Sequence, residues 1–95
     1  MATEIAAGQA RTIVTSNATT QIKATPGKLA KMIVWGVGTA WVIDVYDHAS
    51  ANTNPVYQWL TAGGAIVADL QIPMIYGIRV VTSGTTAGSV TIVWS

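Results

Sequence analysis

The sequence predicts an all-β fold, a single small antiparallel β-sandwich or jelly-roll-like domain, and three observations carry that expectation. Val, Ile and Thr recur throughout the chain, while Leu, Lys, Arg and Glu, the common helix builders, are scarce. Turn-forming clusters recur about every 8–12 residues, the spacing of short antiparallel strands. No long window carries the 3.6-residue apolar period of an amphipathic helix.

Each segment can be justified in order. Residues 1–9 read as a small-residue N-terminal arm ahead of a β-sandwich domain spanning residues 10–95. Arg11–Ser16 and Thr19–Ala24 read as short strands around the turn-prone Asn17. Thr25-Pro26-Gly27 is a turn, with proline presetting φ and glycine free to take a positive one. Leu29–Val37 follows as a strand in which alternation places Leu29, Ile33, Trp35 and Val37 on one face. Gly36 and Gly38 then signal a bulge or tight hairpin into Ala40–Tyr46, where Trp41, Ile43 and Val45 share a face. The run from Asp47 to Pro55 is the longest clear loop, and Val56–Leu60 is a short strand closed by Ala62-Gly63-Gly64. Ala65–Ile75 reads as one bent strand or an extended crossover, and Pro73 confines it to a sheet edge. Gly77–Ser83 and Ser89–Trp94 are expected to pair as a hairpin through Gly84-Thr85-Thr86-Ala87-Gly88. An uncharged strand such as Ser89–Trp94 invites aggregation if left at an edge, so both of its edges are expected to be covered.

Composition then limits the function classes. The chain has 95 residues and no cysteine, so neither a disulfide framework nor a thiolate metal site supplements the core. Charged residues make up 9% of the sequence, against about 25% in an ordinary soluble domain. Hydrophobic residues reach 51% and mean hydropathy is +0.44. Five basic residues, four acidic ones and His48 cannot dress the surface of so small a domain. The mismatch, together with a net charge of +1, points to a subunit whose surface is partly buried on other chains. A membrane span is not expected. The run Met32–Ile43 is bracketed by Lys31 and Asp44 and falls well short of the ~20 residues a spanning helix needs. The N-terminal residues lack the basic and apolar regions of a secretory signal, so synthesis in the cytoplasm without export is expected. The Asn17-Ala18-Thr19 sequon then reads as a chance match.

Candidate chemistry is sparse. Asp44-Val45-Tyr46-Asp47-His48 is the one cluster of ionisable groups. If the strand ran far enough, Asp44 and His48 would share a face, close enough for a divalent cation or an acid–base pair. A metal-assisted hydrolase could rest on Asp44, Asp47 and His48, with Asp69 reaching them only through the fold. A strand end turning into a solvated loop explains the same residues more simply. No nucleophile motif accompanies the single histidine. Gly36-Val37-Gly38 lacks the third glycine, the helix and the acidic partner of a dinucleotide loop. No catalytic residue, cofactor or metal is therefore assigned, and the chain is not expected to be an enzyme. Arg11, Lys23, Lys28 and Lys31 are too few, and too little interleaved with aromatics, for a nucleic-acid surface. Four tryptophans and three tyrosines in a Phe-free domain suggest core or subunit contacts, and Trp35, Trp41, Tyr57, Trp59 and Trp94 are the interface candidates. A carbohydrate platform is the alternative, and it requires two coplanar exposed rings, such as Tyr57 with Trp59 or Trp94.

With its short start, MATEIAAGQARTIVTSNATTQIKATPGKL, its Trp/Val-rich middle and its closing GIRVVTSGTTAGSVTIVWS, the chain resembles small virion proteins of tailed bacteriophages, of the head decoration or cement type. The resemblance covers most of the chain in character and no specific motif. It implies a homo-oligomer, a trimer in the first instance, on the capsid surface of the virion. The partner would be the major capsid protein or another virion protein, with no nucleic acid and no membrane. The function implied is to cap contacts between capsid subunits and stiffen the shell. A tail or fibre accessory module has the same character.

Overall fold

A computed structural model describes residues 9–95. The arm expected at residues 1–9 thus falls, apart from Gln9, outside the described residues. Eight strands follow one another: β1 (Ala10–Val14), β2 (Thr19–Lys23), β3 (Gly27–Gly36), β4 (Val42–Tyr46), β5 (Pro55–Leu60), β6 (Ile66–Met74), β7 (Ile78–Ser83) and β8 (Ser89–Trp94). A single 3₁₀ turn, Thr61–Gly63, connects β5 to β6. They form two four-stranded antiparallel sheets, ordered β1-β8-β3-β6 and β2-β7-β4-β5.

The pairing follows one rule. β1 pairs with β8, β2 with β7, β3 with β6 and β4 with β5. The chain is one long antiparallel ribbon whose tip is the β4–β5 hairpin. Wrapping that ribbon on itself adds the β3–β8 and β4–β7 ladders. This is the jelly-roll arrangement, and it buries one face of each sheet against the other.

Strand alternation fills the space between the sheets. Trp41, Ile43 and Val45 point inward from β4 and the residue before it, as their spacing requires, and all three are buried. Leu29, Met32 and Val34 meet them from β3, with Met74, Ile78, Val80, Val90 and Ile92 completing the core. Trp41 and Trp59 pack edge to face with ring centroids 6.0 Å apart and planes at 75°. Each fully buried aliphatic side chain contributes about 1.5–3 kcal/mol, and this core stands in for the absent disulfides.

Several expectations are corrected by the ribbon topology. β7 and β8 do not form a hairpin, because they belong to different sheets. The Gly84–Gly88 segment is instead an arch between sheets, stacked on the arch from Val37 to Trp41. Thr39 N–H donates to the Thr86 carbonyl at 2.9 Å, and the N–H groups of Thr85 and Thr86 return to the Thr39 carbonyl, each at 3.1 Å. A Cβ on Gly84 would collide with the Ala40 carbonyl oxygen, and one on Gly88 with that of Gly36. These glycines serve close backbone approach between arches rather than a two-strand turn. For the same reason Gly36 and Gly38 do not lead a hairpin into β4.

A β-bulge corrects the assignment of faces in β3. Leu29 and Lys31 stand opposite Trp94 and Val93 of β8, so Ala30 is an extra residue that reverses the alternation. Leu29 therefore points into the core, while Lys31, Ile33 and Trp35 point out. Opposite on β6, Leu70 and Gln71 fill the interval between Asp69 and Ile72, with Gln71 at φ 52°. β6 is one bent edge strand, with Pro73 tolerated there as expected. β8 is central, flanked by β1 and β3 within the same chain, so both its edges are covered. The ladder continues to Ser95, whose N–H and carbonyl bond Lys28 at 3.0 and 2.9 Å.

Candidate interaction surfaces

The outer face of the β1-β8-β3-β6 sheet carries the residues best suited to meet another molecule. Register places Ile13, Thr91, Ile33 and Val67 in one row across the four strands. The neighbouring row, two residues along, is Arg11, Val93, Lys31 and Asp69. Ile13 is 59% exposed, Trp35 58% and Val67 66%, in a chain that has few charges to spare. Two depressions mark this face. One, of about 460 Å³, lies over Arg11, Lys31, Ile33 and Asp69. The other, of about 350 Å³, lies beside Trp35 and Val67, so Ile33 stands between them.

A second exposed apolar group sits at one end of the sandwich. Ile75 and Tyr76 project from the β6–β7 turn. The turn is pinned from beneath by Asp47, which is only 7% exposed. Its carboxylate accepts the backbone N–H of Tyr76 at 2.7 Å, Ile75 at 3.0 Å and Gly77 at 3.3 Å. Burial pushes the Asp47 carboxyl up. The three N–H donors and the adjacent His48 outweigh that effect and hold it below its ordinary value. The His48 ring lies 6.5 Å from the Tyr76 ring at a tilt of 40°. Arg79 closes the loop from the other side, donating to Asn52 Oδ1 at 2.7 Å and Gln21 Oε1 at 2.8 Å.

The interface candidates separate into three kinds. Trp41 and Trp59 are buried within the single chain and offer no surface to a partner. Tyr57 is half-buried against the core, and Trp94 is half-buried at its margin. Trp35 alone presents an exposed indole. All four indole N–H groups have acceptors: Trp35 bonds Thr91 Oγ1 at 3.2 Å and Trp94 bonds Thr12 Oγ1 at 3.0 Å. Trp59 bonds the Gly64 carbonyl at 3.1 Å and Trp41 bonds Asn17 Oδ1 at 2.8 Å. The coplanar exposed pair of Tyr57 with Trp59 does not exist, because Trp59 is the inward partner of Trp41.

Asp44 and His48 are not brought together. The strand ends at Tyr46, and Asp44 Oδ1 accepts from Gln58 Nε2 at 2.7 Å on the outer face of the other sheet. His48 Nδ1 turns into its own loop to accept the N–H groups of Ser50 and Ala51 at 3.0 and 2.9 Å. Among the described residues no three His, Cys, Asp or Glu side chains gather as a metal site. Nor do the basic residues make one patch, since Lys23 lies on the second sheet and Arg11 and Lys31 share their row with Asp69.

Ile13, Val67, Ile75 and Tyr76 were not singled out by the sequence. Alternation marks Ile13 and Val67 as lying on one face of a strand, but only the pairing shows that this face looks outward and that the two share a row. Family models, curated proteins and solved structures alike provide no match to the chain.

Proposed function

We propose that the protein is a structural subunit of a phage virion, a head decoration or cement protein that binds copies of itself and the capsid lattice. The observation that carries this reading is the outer sheet face, where Trp35, Ile33 and Val67 adjoin one another and Ile13 stands exposed at the far end of the same row, beyond Thr91. Contiguous apolar surface on a domain this poor in charge is the mark of an interaction site. The Ile75–Tyr76 turn supplies a second, separate contact. Held by the buried Asp47, it meets a partner without first having to be ordered, which lowers the cost of binding. The jelly roll is compatible with this role, being common in viral capsid proteins, although it also serves lectins and enzymes and does not decide the matter.

The division of labour assigned here is self-association through the sheet face and lattice binding through the Ile75–Tyr76 turn. The test is co-sedimentation of the purified chain with phage shells stripped of decoration protein. Saturable binding is expected, and Ile75→Asp with Tyr76→Ser should abolish it while leaving the far-UV spectrum unchanged. A protein that stays in the supernatant at micromolar concentration would refute the lattice role. The alternative carbohydrate-binding reading has Trp35 in its favour, as a lone exposed indole. Quenching or a shift of tryptophan fluorescence with one glycan of a panel, lost in Trp35→Ala, would favour that reading instead.

A further inference from the structure

We infer that the outer face of the β1-β8-β3-β6 sheet is a two-fold interface between two copies of this chain. The order of residues across the sheet supports it. Reading from β1 to β6, one row is Arg11, Val93, Lys31, Asp69 and the next is Ile13, Thr91, Ile33, Val67. Place a two-fold axis along the strands, between β8 and β3, and lay a second copy face to face. The axis preserves each row and reverses its order, so β1 of one copy lies over β6 of the other.

Every position then meets a suitable partner. Arg11 lies over Asp69 of the second copy, and the symmetry makes this pair twice, at opposite edges of the contact. Ile13 lies over Val67, again twice, and the two sets of apolar exposure are removed from water together. Lys31 lies over Val93, where its aliphatic stem covers the apolar side chain while its ammonium reaches the rim. Ile33 lies over Thr91, and the two Trp35 rings approach one another beside the axis. A contact that is self-complementary in both charge and hydropathy is what an isologous dimer requires. A two-fold across the strands, with β1 over β1, would reverse the strand direction, and with its axis on the charged row it would set Arg11 against Arg11 and Asp69 against Asp69. The depressions on either side of Ile33 leave room for opposing side chains to interdigitate.

The contact is two-fold, so it yields a dimer rather than the trimer that the resemblance implies. It does not depend on the capsid reading, since the row order stands whatever the particle or partner.

Sedimentation velocity on the full chain across a concentration series is the first measurement, and a dimer is expected. Val67→Lys, at an exposed position, should shift the protein to a monomer with unchanged circular dichroism. The decisive measurement uses Arg11→Asp and Asp69→Arg. In either homodimer the substitution sets two like charges against each other, which should weaken dimerisation at least about tenfold. Mixing the two variants in equal amounts should restore a heterodimer, because both cross-axis pairs become opposite in charge again. A wild-type monomer at tens of micromolar would overturn the proposal. So would an oligomer that Val67→Lys leaves intact, or charge variants that do not rescue one another.

Discussion

Asn17 shows how much a single side chain can hold together in this fold. Its Oδ1 accepts the indole N–H of the buried Trp41 at 2.8 Å, and its Nδ2 donates to the Gly84 carbonyl at 2.9 Å. Thr82 reinforces the same end, donating to the Ser16 carbonyl at 2.6 Å and accepting the Ala18 N–H at 3.0 Å. Replacing Asn17 with Ala removes the acceptor of the indole N–H of the buried Trp41. A buried donor without an acceptor costs about 1–3 kcal/mol, so the unfolding free energy of Asn17→Ala should fall by about that amount, read in urea as a lower midpoint with the slope unchanged. Nothing local in the sequence marks this role. Asn17 reads as a turn residue, which it is, and its two partners come from distant parts of the chain.

At the scale of elements, the β6–β7 turn depends on Asp47 and should therefore depend on pH. The direction follows from the lowered carboxyl. In the unfolded chain Asp47 takes up a proton near its ordinary value of 3.8, and in the folded chain only at lower pH. The stabilisation is thus fully present above that ordinary value and is lost as pH falls through the depressed folded one. Wild-type protein should lose stability in acid more steeply than Asp47→Asn, which keeps one acceptor but has no charge to lose. At neutral pH the same variant should be less stable by about 1–3 kcal/mol, with charge-assisted bonds replaced by neutral ones. Thermal melts of both proteins from pH 7 down to pH 3 check the slope and the offset. The extents of these elements were largely legible. The long loop from Asp47, the strand ending at Leu60, the edge character imposed by Pro73 and the enclosure of Ser89–Trp94 follow from turn residues and β-branched runs. The inward face of β3 was not, because one bulged alanine reverses the alternation and alanine carries no signal for a bulge.

For the whole molecule, the all-β class and a count of seven or eight strands could be read from periodicity and turns, while the connections could not. Adjacent strands in a sequence are the natural pairing partners, and Gly-bounded loops strengthen that expectation. Here every loop between the described strands except that joining β4 to β5 carries the chain from one sheet to the other, and a glycine that permits an arch looks the same as one that permits a hairpin. The outer sheet face is invisible for a related reason. Its two rows are assembled from strands at both ends of the chain, so the matching of Arg11 with Asp69 and Ile13 with Val67 exists only after β1 and β6 have been placed at opposite edges of one sheet.

The ribbon pairing also dictates a temporal order. Among the described strands, β4 and β5 are the only consecutive pair that forms a ladder, and that ladder encloses the shortest loop of any. Each later pair encloses the one before it, so forming β4–β5 first brings β3 near β6, then β2 near β7, and lastly β1 near β8. Loop-closure entropy rises with the length enclosed, and starting from the outer pair would ask the chain to close almost end to end with nothing gained in between. The protein should therefore fold slowly, in milliseconds to seconds, as chains dominated by non-local pairing do. Inserting flexible glycines into the exposed part of the 47–54 loop should slow refolding in stopped-flow fluorescence, with little change in unfolding. The same insertion at Thr15–Ser16 should leave the refolding rate nearly unaltered. A fold that looks symmetrical in its strand order is, in time, a zipper with one starting point.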